Sequence, residues 1–491
     1  MKQLTPALFL CLKDYSKDKF VKDVISGIIV AIIALPLSIA LALASGVGPE
    51  QGLYTAIVAG FVISFFGGST VQIAGPTAAF ATIVAGVVAK NGMEGLIVAT
   101  VLAGIMLIIM GLLRAGSMIK FIPDPITVGF TAGIAVTIVI GQVKDFLGLT
   151  FTHAPVETME KVEETIACIG TFNPMALVVG LVALAILIIS PKFFKRVPPS
   201  LIAVVVTAAM VKLLKLPVNT IGDLYTISSA LPSFHMPEVS FSLVQAVLPD
   251  AFTIAILAAI ESLLSAVVAD EMVEERHNSN MELVAQGLGN MASALFGGIP
   301  ATGAIARTAA NINNGGRSPV AGMVHAIVLL LVLVLLMPYA ALIPMPTIAA
   351  ILFVVAYNMS HIHKVIEIMQ KAPKSDVAVL LLSFALTVIF DLVVAISVGL
   401  GMACLMFMKR MADVSDIREW DYVEITGDED GRMKPVPSHV MVYEITGPMF
   451  FGSADKIPEI TNRDGTKRVL VLRMRSVPAV DATAKIGRAH V

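Results

Sequence analysis

Two stretches of the sequence decide the fold: FGGSTVQIAGPT at residues 66–77 and FGGIPATGAIART at residues 296–308. Each follows a long apolar run, opens with Phe-Gly-Gly, and then becomes small, polar and rich in Gly and Pro before a short helical segment. The first falls in the third apolar run of the chain and the second in the tenth. If every run crosses a membrane, an odd number of crossings separates the copies, and the two stretches point in opposite directions.

The composition supports the membrane interpretation. The chain has 491 residues, of which 57% are apolar and 14% charged, whereas average proteins carry roughly 25% charge. The apolar residues form runs of about 20, long enough to cross a ~30 Å hydrocarbon core as helices. A soluble protein with one core, a disordered chain and a fibrous chain are thereby excluded. The net charge of −2 gives no reason to expect nucleic acid as a partner.

The apolar runs predict an all-α polytopic membrane protein with about fourteen transmembrane segments, the third and tenth too short or too polar for ordinary spans. The predicted spans are 24–45, 52–66, 74–89, 94–114, 125–147, 174–191, 199–215, 250–270, 283–296, 303–312, 318–337, 341–358, 376–390 and 392–408. Lys and Arg are concentrated in the N-terminal segment and in the loops after even-numbered spans. The positive-inside rule therefore predicts an even count with both termini cytoplasmic.

The composition changes after the last span, which sets the domain boundaries. We predict a cytoplasmic segment at 1–23, a transmembrane domain at 24–408, a charged linker at 409–437 and the front of a small α/β domain at 438–491. Alternating apolar residues make His439–Thr446 and Val469–Met474 strand candidates. The chain ends before such a sheet would receive its covering helices, so we expect a truncated domain.

The interrupted third and tenth spans have the chemistry of an anion site. Half-helices direct unpaired backbone N–H groups and positive dipole ends into one cavity. Gly75 and Gly303 allow close backbone approach, and Pro76 suits the first turn of the helix that follows. Arg307 places a positive charge at membrane depth, which is costly unless it is functional or paired. The alternative is that the Phe-Gly-Gly and Gly-Pro elements only allow close packing between spans.

Glu261 is the second strong signal, because it lies in an otherwise apolar span beside Ser262 and Ser265. An ionisable group at this depth by default marks an ion or proton path. Three roles compete for Glu261: it carries a proton, it binds a coupling cation together with Ser265, or it neutralises Arg307.

In these residues the sequence resembles the sulfate permease (SulP) family, which includes the animal solute-carrier anion exchangers. The resemblance is carried by Leu35-Pro36, Gly46–Pro49, Gly52–Tyr54, Gln72–Thr77, Ala269-Asp270, His277–Asn280, Arg307–Asn311 and Gly315–Arg317. The segments Val442–Asp455 and Asp481–Ala484 resemble the start of that family's STAS domain. The family implies seven-plus-seven inverted repeats divided into core and gate domains, short strands before broken helices 3 and 10, a homodimer, and an elevator motion.

The resemblance also implies a set of site residues. Those for the anion are Gln72, Gly75, Pro76, Thr77, Thr302, Gly303, Ala304, Ala306 and Arg307. Glu261 and Ser265 match the coupling-ion positions, with possible sodium near Glu261, Ser265 and Thr302. Glu261 stands where the sodium-coupled bicarbonate members have Asp. The longer carboxylate puts sodium in doubt and favours proton coupling.

The sequence therefore predicts secondary active transport of sulfate, bicarbonate or a dicarboxylate across the inner membrane, coupled to H+ or, alternatively, Na+. A passive anion channel on the same scaffold and a nucleobase permease are the rival functions. The sequence contains no P-loop, HExxH motif or nucleophile elbow, so we expect no enzyme activity and no cofactor. Three widely separated cysteines give no disulfide framework.

Overall fold

The computed structural model describes residues 4–117, 123–153, 155, 157–193, 197–390, 392–419, 422–424, 433–435, 440–449 and 469–482. The chain forms two compact units, Met1–Ser397 and Val398–Val491, and each is considered by itself.

Helices dominate the first unit, and each predicted span falls on a helix or on one arm of a helix. The helices up to the middle of the chain are α1 Ala7–Cys11, α2 Lys17–Ala44, α3 Pro49–Phe66, α4 Ala81–Leu112, α5 Asp124–Leu147, α6 Thr158–Ala167, α7 Pro174–Phe193, α8 Pro199–Leu214 and α9 Ile221–Leu224. The remainder are α10 Phe241–Val273, α11 Ser279–Leu295, α12 Ile305–Asn313, α13 Val320–Ala340, α14 Met345–Met359, α15 Ile362–Lys371 and α16 Lys374–Ile389. The last helix, α17 Leu392–Val414, begins in the first unit and continues into the second.

Seven helical segments in the described part of the chain are long and apolar enough to cross a membrane on their own. The predicted third and fourth spans are the two arms of α4, which meet at Gly92, where φ is +66°. Only a residue without a Cβ adopts this left-handed backbone at little cost. The predicted boundary between these two spans is therefore confirmed as a break in direction within one long helical element.

The helices of the first unit pack in two groups. One group contains α2, α3, α4, α10, α11, α12 and α13, and the other contains α5, α7, α8, α14 and α16. Small residues allow close helix contacts within the first group: a Cβ at Gly104 of α4 would lie 2.7 Å from the Gly287 carbonyl oxygen of α11. Such contacts are typical of helices that pack in lipid.

Two short strands cross between the helices of the first group, as the resemblance implies. Strand β1 (Ala74–Gly75) pairs antiparallel with β2 (Thr302–Gly303), with Ala74 opposite Gly303 and Gly75 opposite Thr302. Each strand lies between two helices, β1 after α3 and before α4, and β2 after α11 and before α12. The antiparallel pairing confirms the prediction that the two glycine-rich stretches run in opposite directions.

The second unit contains a small sheet. Strand β6 (Val440–Thr446) pairs antiparallel with β3 (Asp416–Glu419) and parallel with β7 (Val469–Ser476), and both predicted strands are confirmed. Its apolar core contains Ile445 and Met449. A separate pair joins β4 (Tyr422–Glu424) to β5 (Met433–Pro435). The segment 409–437, which we treat as a linker, thus holds the end of α17 and β3, β4 and β5 among its described residues.

Candidate functional site

The two helix starts lie at opposite ends of the β1–β2 ladder. Beyond β1, a 3-10 turn at Ala78–Phe80 leads into α4 with Thr77 as its N-cap, and beyond β2, α12 begins after the N-cap Ala304. Neither start is capped by a side chain. The first-turn N–H groups of a helix have no partner within the helix, and they carry the positive end of its dipole. The ladder therefore holds two uncapped, electropositive helix ends in one site.

The two strand glycines are needed because side chains occupy the space beside them. A Cβ at Gly303 would lie 1.7 Å from Nε2 of Gln72, and a Cβ at Gly75 would lie 2.2 Å from Nη1 of Arg307. The Gln72 side chain is buried, and its Nε2 donates to the Ser262 carbonyl at 3.3 Å. Glycine at both positions thus allows Gln72 and Arg307 to lie directly against the ladder.

Arg307 is the main charge of the site and is only 1% exposed. Its Nη2 donates to Ser38 Oγ at 3.3 Å and to the Pro76 carbonyl at 3.2 Å, while Nε and Nη1 have no hydrogen-bond partner among the described residues. In the described part of the chain, no carboxylate oxygen lies within 4.0 Å of the guanidinium. Its positive charge is therefore not neutralised by an ion pair.

One sequence expectation about Pro76 is wrong. Pro76 does not lie in the first turn of the helix but precedes the N-cap Thr77. The strand pairing keeps the backbone extended through Gly75. Pro76 contributes its carbonyl oxygen to Arg307 rather than starting the helix.

Glu261 lies next to the start of α4 and does not pair with Arg307. Oγ1 of Thr77 donates to its Oε2 at 3.0 Å, and the Glu261 side chain is partly exposed, unlike Arg307. The interpretation of Glu261 as a simple counter-ion of Arg307 is therefore wrong. Thr77 directs its hydroxyl to this carboxylate instead of capping the helix.

The other predicted cation ligands also adjoin α10. Ser265 lies one turn after Glu261, and its buried Oγ has no hydrogen-bond partner in the structure. Thr302 is fully buried, and its Oγ1 accepts from Ser262 Oγ at 2.9 Å. Ser262 Oγ also accepts from the Gly303 N–H at 3.1 Å. Ser262 thus attaches β2 to α10, the helix that carries Glu261.

The two remaining predicted anion ligands, Ala304 and Ala306, lie at the start of α12. Ala306, in the first turn, is exposed, and Ala304 is half-buried. Thr308 is buried and accepts from the Ile73 N–H at 3.0 Å, while the Ala304 N–H donates to the Ile73 carbonyl at 2.9 Å. The hydroxyl of Thr308 therefore fixes α12 to the stretch before β1.

Sequence reasoning missed two groups that position the site. Ser38 in α2 accepts from Arg307, and Ser262 bonds both Thr302 and Gly303. Single hydroxyls in apolar spans are common, and they give no pattern of their own. The one available signal was the position of Ser262 next to Glu261.

Comparison with known proteins agrees with this geometry. The profile described as "Sulfate permease family" matches residues 20–383. The chain belongs to the sulfate permease family. It is 43% identical over 477 residues to the putative sulfate transporter YvdB of Bacillus subtilis, covering 96% of this chain and 89% of that protein. It is 32% identical to the bicarbonate transporter BicA of Picosynechococcus, covering 95% and 85% of the two chains.

Solved structures of the family share the fold. The transmembrane domain of a cyanobacterial BicA aligns with a TM-score of 0.71 and 31% identity, over 78% of this chain and 98% of that one. Murine Slc26a9 in an inward-facing state aligns with a TM-score of 0.88 over 99% of this chain and 85% of that one, but at 19% identity it supports the fold alone. This sulfate permease family member is thus a multi-pass membrane protein and an anion transporter, not an enzyme.

Proposed function

We propose that this transporter moves a small anion across the cytoplasmic membrane by secondary active transport, with the anion held between the starts of α4 and α12 beside Arg307. The observation that carries the proposal is the buried guanidinium, which keeps two nitrogens without partners and has no carboxylate nearby among the described residues. Leaving such groups unsatisfied in a membrane protein is expensive. A bound anion would satisfy them together with the uncapped first-turn amides.

The candidate substrates are sulfate, bicarbonate and dicarboxylates. The relatives with high identity are named as a putative sulfate transporter and as bicarbonate transporters. Backbone amides and one arginine recognise negative charge and oxygen acceptors, which all three anions present. The site chemistry therefore supports the class of small oxyanions, and the transport assay below decides which of the three anions is carried.

An elevator motion fits the way the site is built. The groups described in the site belong to α2, α10, α12, the two strands, or the short segments that join the strands to α3, α4 and α12, and these helices all belong to the first packing group. The site can therefore move as one body past the second group, which holds α5, α7, α8, α14 and α16. In this proposal the second group is the gate, both termini are cytoplasmic, and the protein acts as a homodimer.

We assign the coupling ion to the region of Glu261 and Ser265, with a proton as the first choice. The Glu261 carboxylate is partly exposed and, among the described residues, accepts one side-chain hydrogen bond, from Thr77, which leaves it free to exchange a proton with the site. Sodium near Glu261, Ser265 and Thr302 is the alternative. It is less favoured because the Thr302 hydroxyl already bonds Ser262.

Uptake by purified protein in sealed liposomes tests the proposal. Labelled sulfate, bicarbonate and fumarate are offered separately, with an imposed proton gradient, an imposed sodium gradient, or neither. We expect uphill accumulation of at least one anion, driven by the proton gradient. Accumulation driven by sodium alone would select the sodium alternative. Downhill flux without accumulation would instead indicate a channel, and competition by uracil would indicate a nucleobase permease.

A further inference from the structure

A groove lies between the two packing groups of helices. Its volume is about 380 Å³, within the roughly 300–1,000 Å³ of sites that hold small molecules. One wall is formed by α2 and α13 of the first group, and the other by α8 of the second. The proposed anion site uses none of the residues that line this groove, so the groove requires a separate explanation.

Helix α8 has one face packed into the second group and another that lines the groove. Ala203, Thr207 and Val211 are buried, and Thr347 of α14 donates to Thr207 at 2.8 Å. From residue 201 to residue 212 the helix rises roughly 16 Å, which is about half of a ~30 Å hydrocarbon core. The groove face therefore has the length of one lipid leaflet. Its members recur every three or four residues, as one face of a helix does: Leu201, Val204, Val205, Ala208, Ala209 and Lys212.

The opposite wall of the groove is apolar as well. The Leu35-Pro36 pair of α2, which the anion site leaves unused, lies in this wall with Leu336 of α13. Val205 and Leu336 are 59% and 50% exposed, so the groove opens to its surroundings. For membrane-spanning helices those surroundings are lipid tails, which are as apolar as leucine. An open apolar groove of this length fits a hydrocarbon chain.

One end of the groove carries residues that are typical of a membrane–water interface. Lys212 lies in the last turn of α8 and Tyr339 in the last turn of α13, and both are exposed. Tyrosine is enriched at this level of the membrane, and a lysine there extends its ammonium to the headgroups. Among the described residues, no carboxylate oxygen lies within 4.0 Å of the Lys212 ammonium. Its charge is therefore available to an anionic headgroup.

We propose that the groove binds one acyl chain of an anionic phospholipid, with the lipid phosphate at Lys212. A phosphate is recognised by charged and neutral hydrogen-bond donors, which the Lys212 ammonium and the Tyr339 hydroxyl supply. Because each packing group contributes one wall, a bound lipid contacts both groups and stabilises the helix arrangement seen here over others. This effect on helix arrangement rests on the elevator motion of the proposed function, whereas lipid binding itself does not.

Native mass spectrometry of delipidated protein in an uncharged detergent measures this binding without requiring transport. The protein is titrated with phosphatidylglycerol or with phosphatidylcholine that has the same acyl chains. Wild-type protein should bind the anionic lipid about fivefold more tightly, which is the contribution of one lysine near an anionic lipid. Lys212→Gln should remove this preference. Lys215→Gln, which changes a neighbouring exposed lysine outside the groove, should retain it.

A second pair of variants tests the groove itself. Ala208→Trp fills the groove with an indole and should weaken the binding of both lipids by about tenfold or more. Val206→Trp, on the same helix but exposed outside the groove, should bind them as wild type does. Ala209→Phe replaces Ala208→Trp if that variant does not fold.

Two results would overturn the inference. One is equal affinity of wild-type protein for the two lipids, and the other is unchanged lipid binding by a folded groove-filling variant. Neither result bears on anion uptake in liposomes, so the proposed function would stand or fall separately.

Discussion

The Thr77 hydroxyl donates a 3.0 Å hydrogen bond to Glu261, and this contact joins the start of α4 to the middle of α10. Thr77 is the N-cap residue of the 3-10 turn that leads into α4, but it gives its side chain to the carboxylate. The first-turn amides therefore stay uncapped beside a titratable group. A change in the charge of Glu261 therefore alters the electrostatic potential at the helix end where we place the anion.

The first prediction concerns the charge of the site. Arg307→Ala should weaken anion binding by about 10–100-fold, because hydrogen bonds to charged groups contribute roughly 1.5–3 kcal/mol each. Arg307→Lys keeps the charge but loses the planar fork, so it should bind with intermediate affinity. Binding of labelled sulfate to detergent-purified protein measures both. If folded Arg307→Ala binds sulfate with the wild-type affinity, the guanidinium does not contribute to anion binding.

The second prediction concerns coupling. Glu261→Gln preserves an oxygen that can accept from Thr77 but removes the titrating group. Exchange of labelled anion at equal concentrations inside and outside the liposomes should continue. Accumulation driven by a proton gradient should fall, because one proton fewer moves with each anion. Counterflow and gradient-driven uptake in liposomes separate these two activities.

Thr77→Ser serves as the matched control for the coupling experiment, because it retains the hydroxyl that bonds Glu261. It should accumulate anion nearly as wild type does. Full proton-driven accumulation by Glu261→Gln would show that the coupling proton binds elsewhere.

The third prediction tests the packing of the ladder. Gly303→Ala places a methyl group 1.7 Å from Gln72 Nε2, and overpacking of this kind costs about 1–3 kcal/mol. The midpoint of thermal unfolding in detergent should fall. Since the three nearest atoms belong to the Gln72 side chain, the double variant Gln72→Ala/Gly303→Ala should recover the midpoint of Gln72→Ala.

Gly86→Ala, in α4, is the control for adding a methyl group where there is space, because a Cβ there has nothing within 4 Å. It should unfold at or above the wild-type midpoint, since Ala favours helix. A double variant as unstable as Gly303→Ala would mean that the strand pairing itself, rather than Gln72, excludes the methyl group.

The sequence alone predicted the parts of the site that carry a local signature. A glycine-rich interruption after a full span, repeated with opposite direction, predicted the two breaks, and the family resemblance implied the strands β1 and β2 found there. A lone arginine at membrane depth marked Arg307 as a site residue. The positions of Gly75 and Gly303 followed from the need for close approach. In each case the unusual residue can be recognised from the few residues on either side of it in the sequence.

The parts that sequence reasoning missed depend on partners far apart in the chain. Ser38 becomes a site residue only because α2 passes the Arg307 side chain. Pro76 was assigned to the wrong position because its helix-starting preference yields to the strand pairing of Gly75 with Thr302. Tertiary contacts decide the role of both residues.

The fourth prediction concerns α6, in a loop between predicted spans. The Thr152 hydroxyl and the Thr152 N–H, each at 2.7 Å, hold the pKa of Glu164 down from its ordinary 4.5 to about 2. A carboxylate whose pKa is lower in the folded than in the unfolded chain stabilises the fold at pH values above its unfolded pKa. For Glu164 this stabilisation is lost as the pH falls from about 4.5 to about 2. Glu164→Gln should therefore make this loop less stable than in wild type at neutral pH, and equally stable near pH 2.

Thiol labelling reports on that loop, because buried Cys168 donates its thiol to Glu164 at 3.3 Å. Glu164→Gln should speed the reaction of Cys168 with maleimide at neutral pH. The exposed neighbour Glu163 supplies the control, and Glu163→Gln should leave the rate unchanged. Equal rates in the two variants would mean that Glu164 does not hold the loop.

The most direct measurement is a cryo-EM map of the purified transporter saturated with sulfate, compared with a map recorded without it. We predict new density between the first-turn amides that follow Thr77 and Ala304, within hydrogen-bond distance of the unpaired nitrogens of Arg307. Sulfate density at another location, with the β1–β2 ladder unchanged and this space empty, would contradict the account.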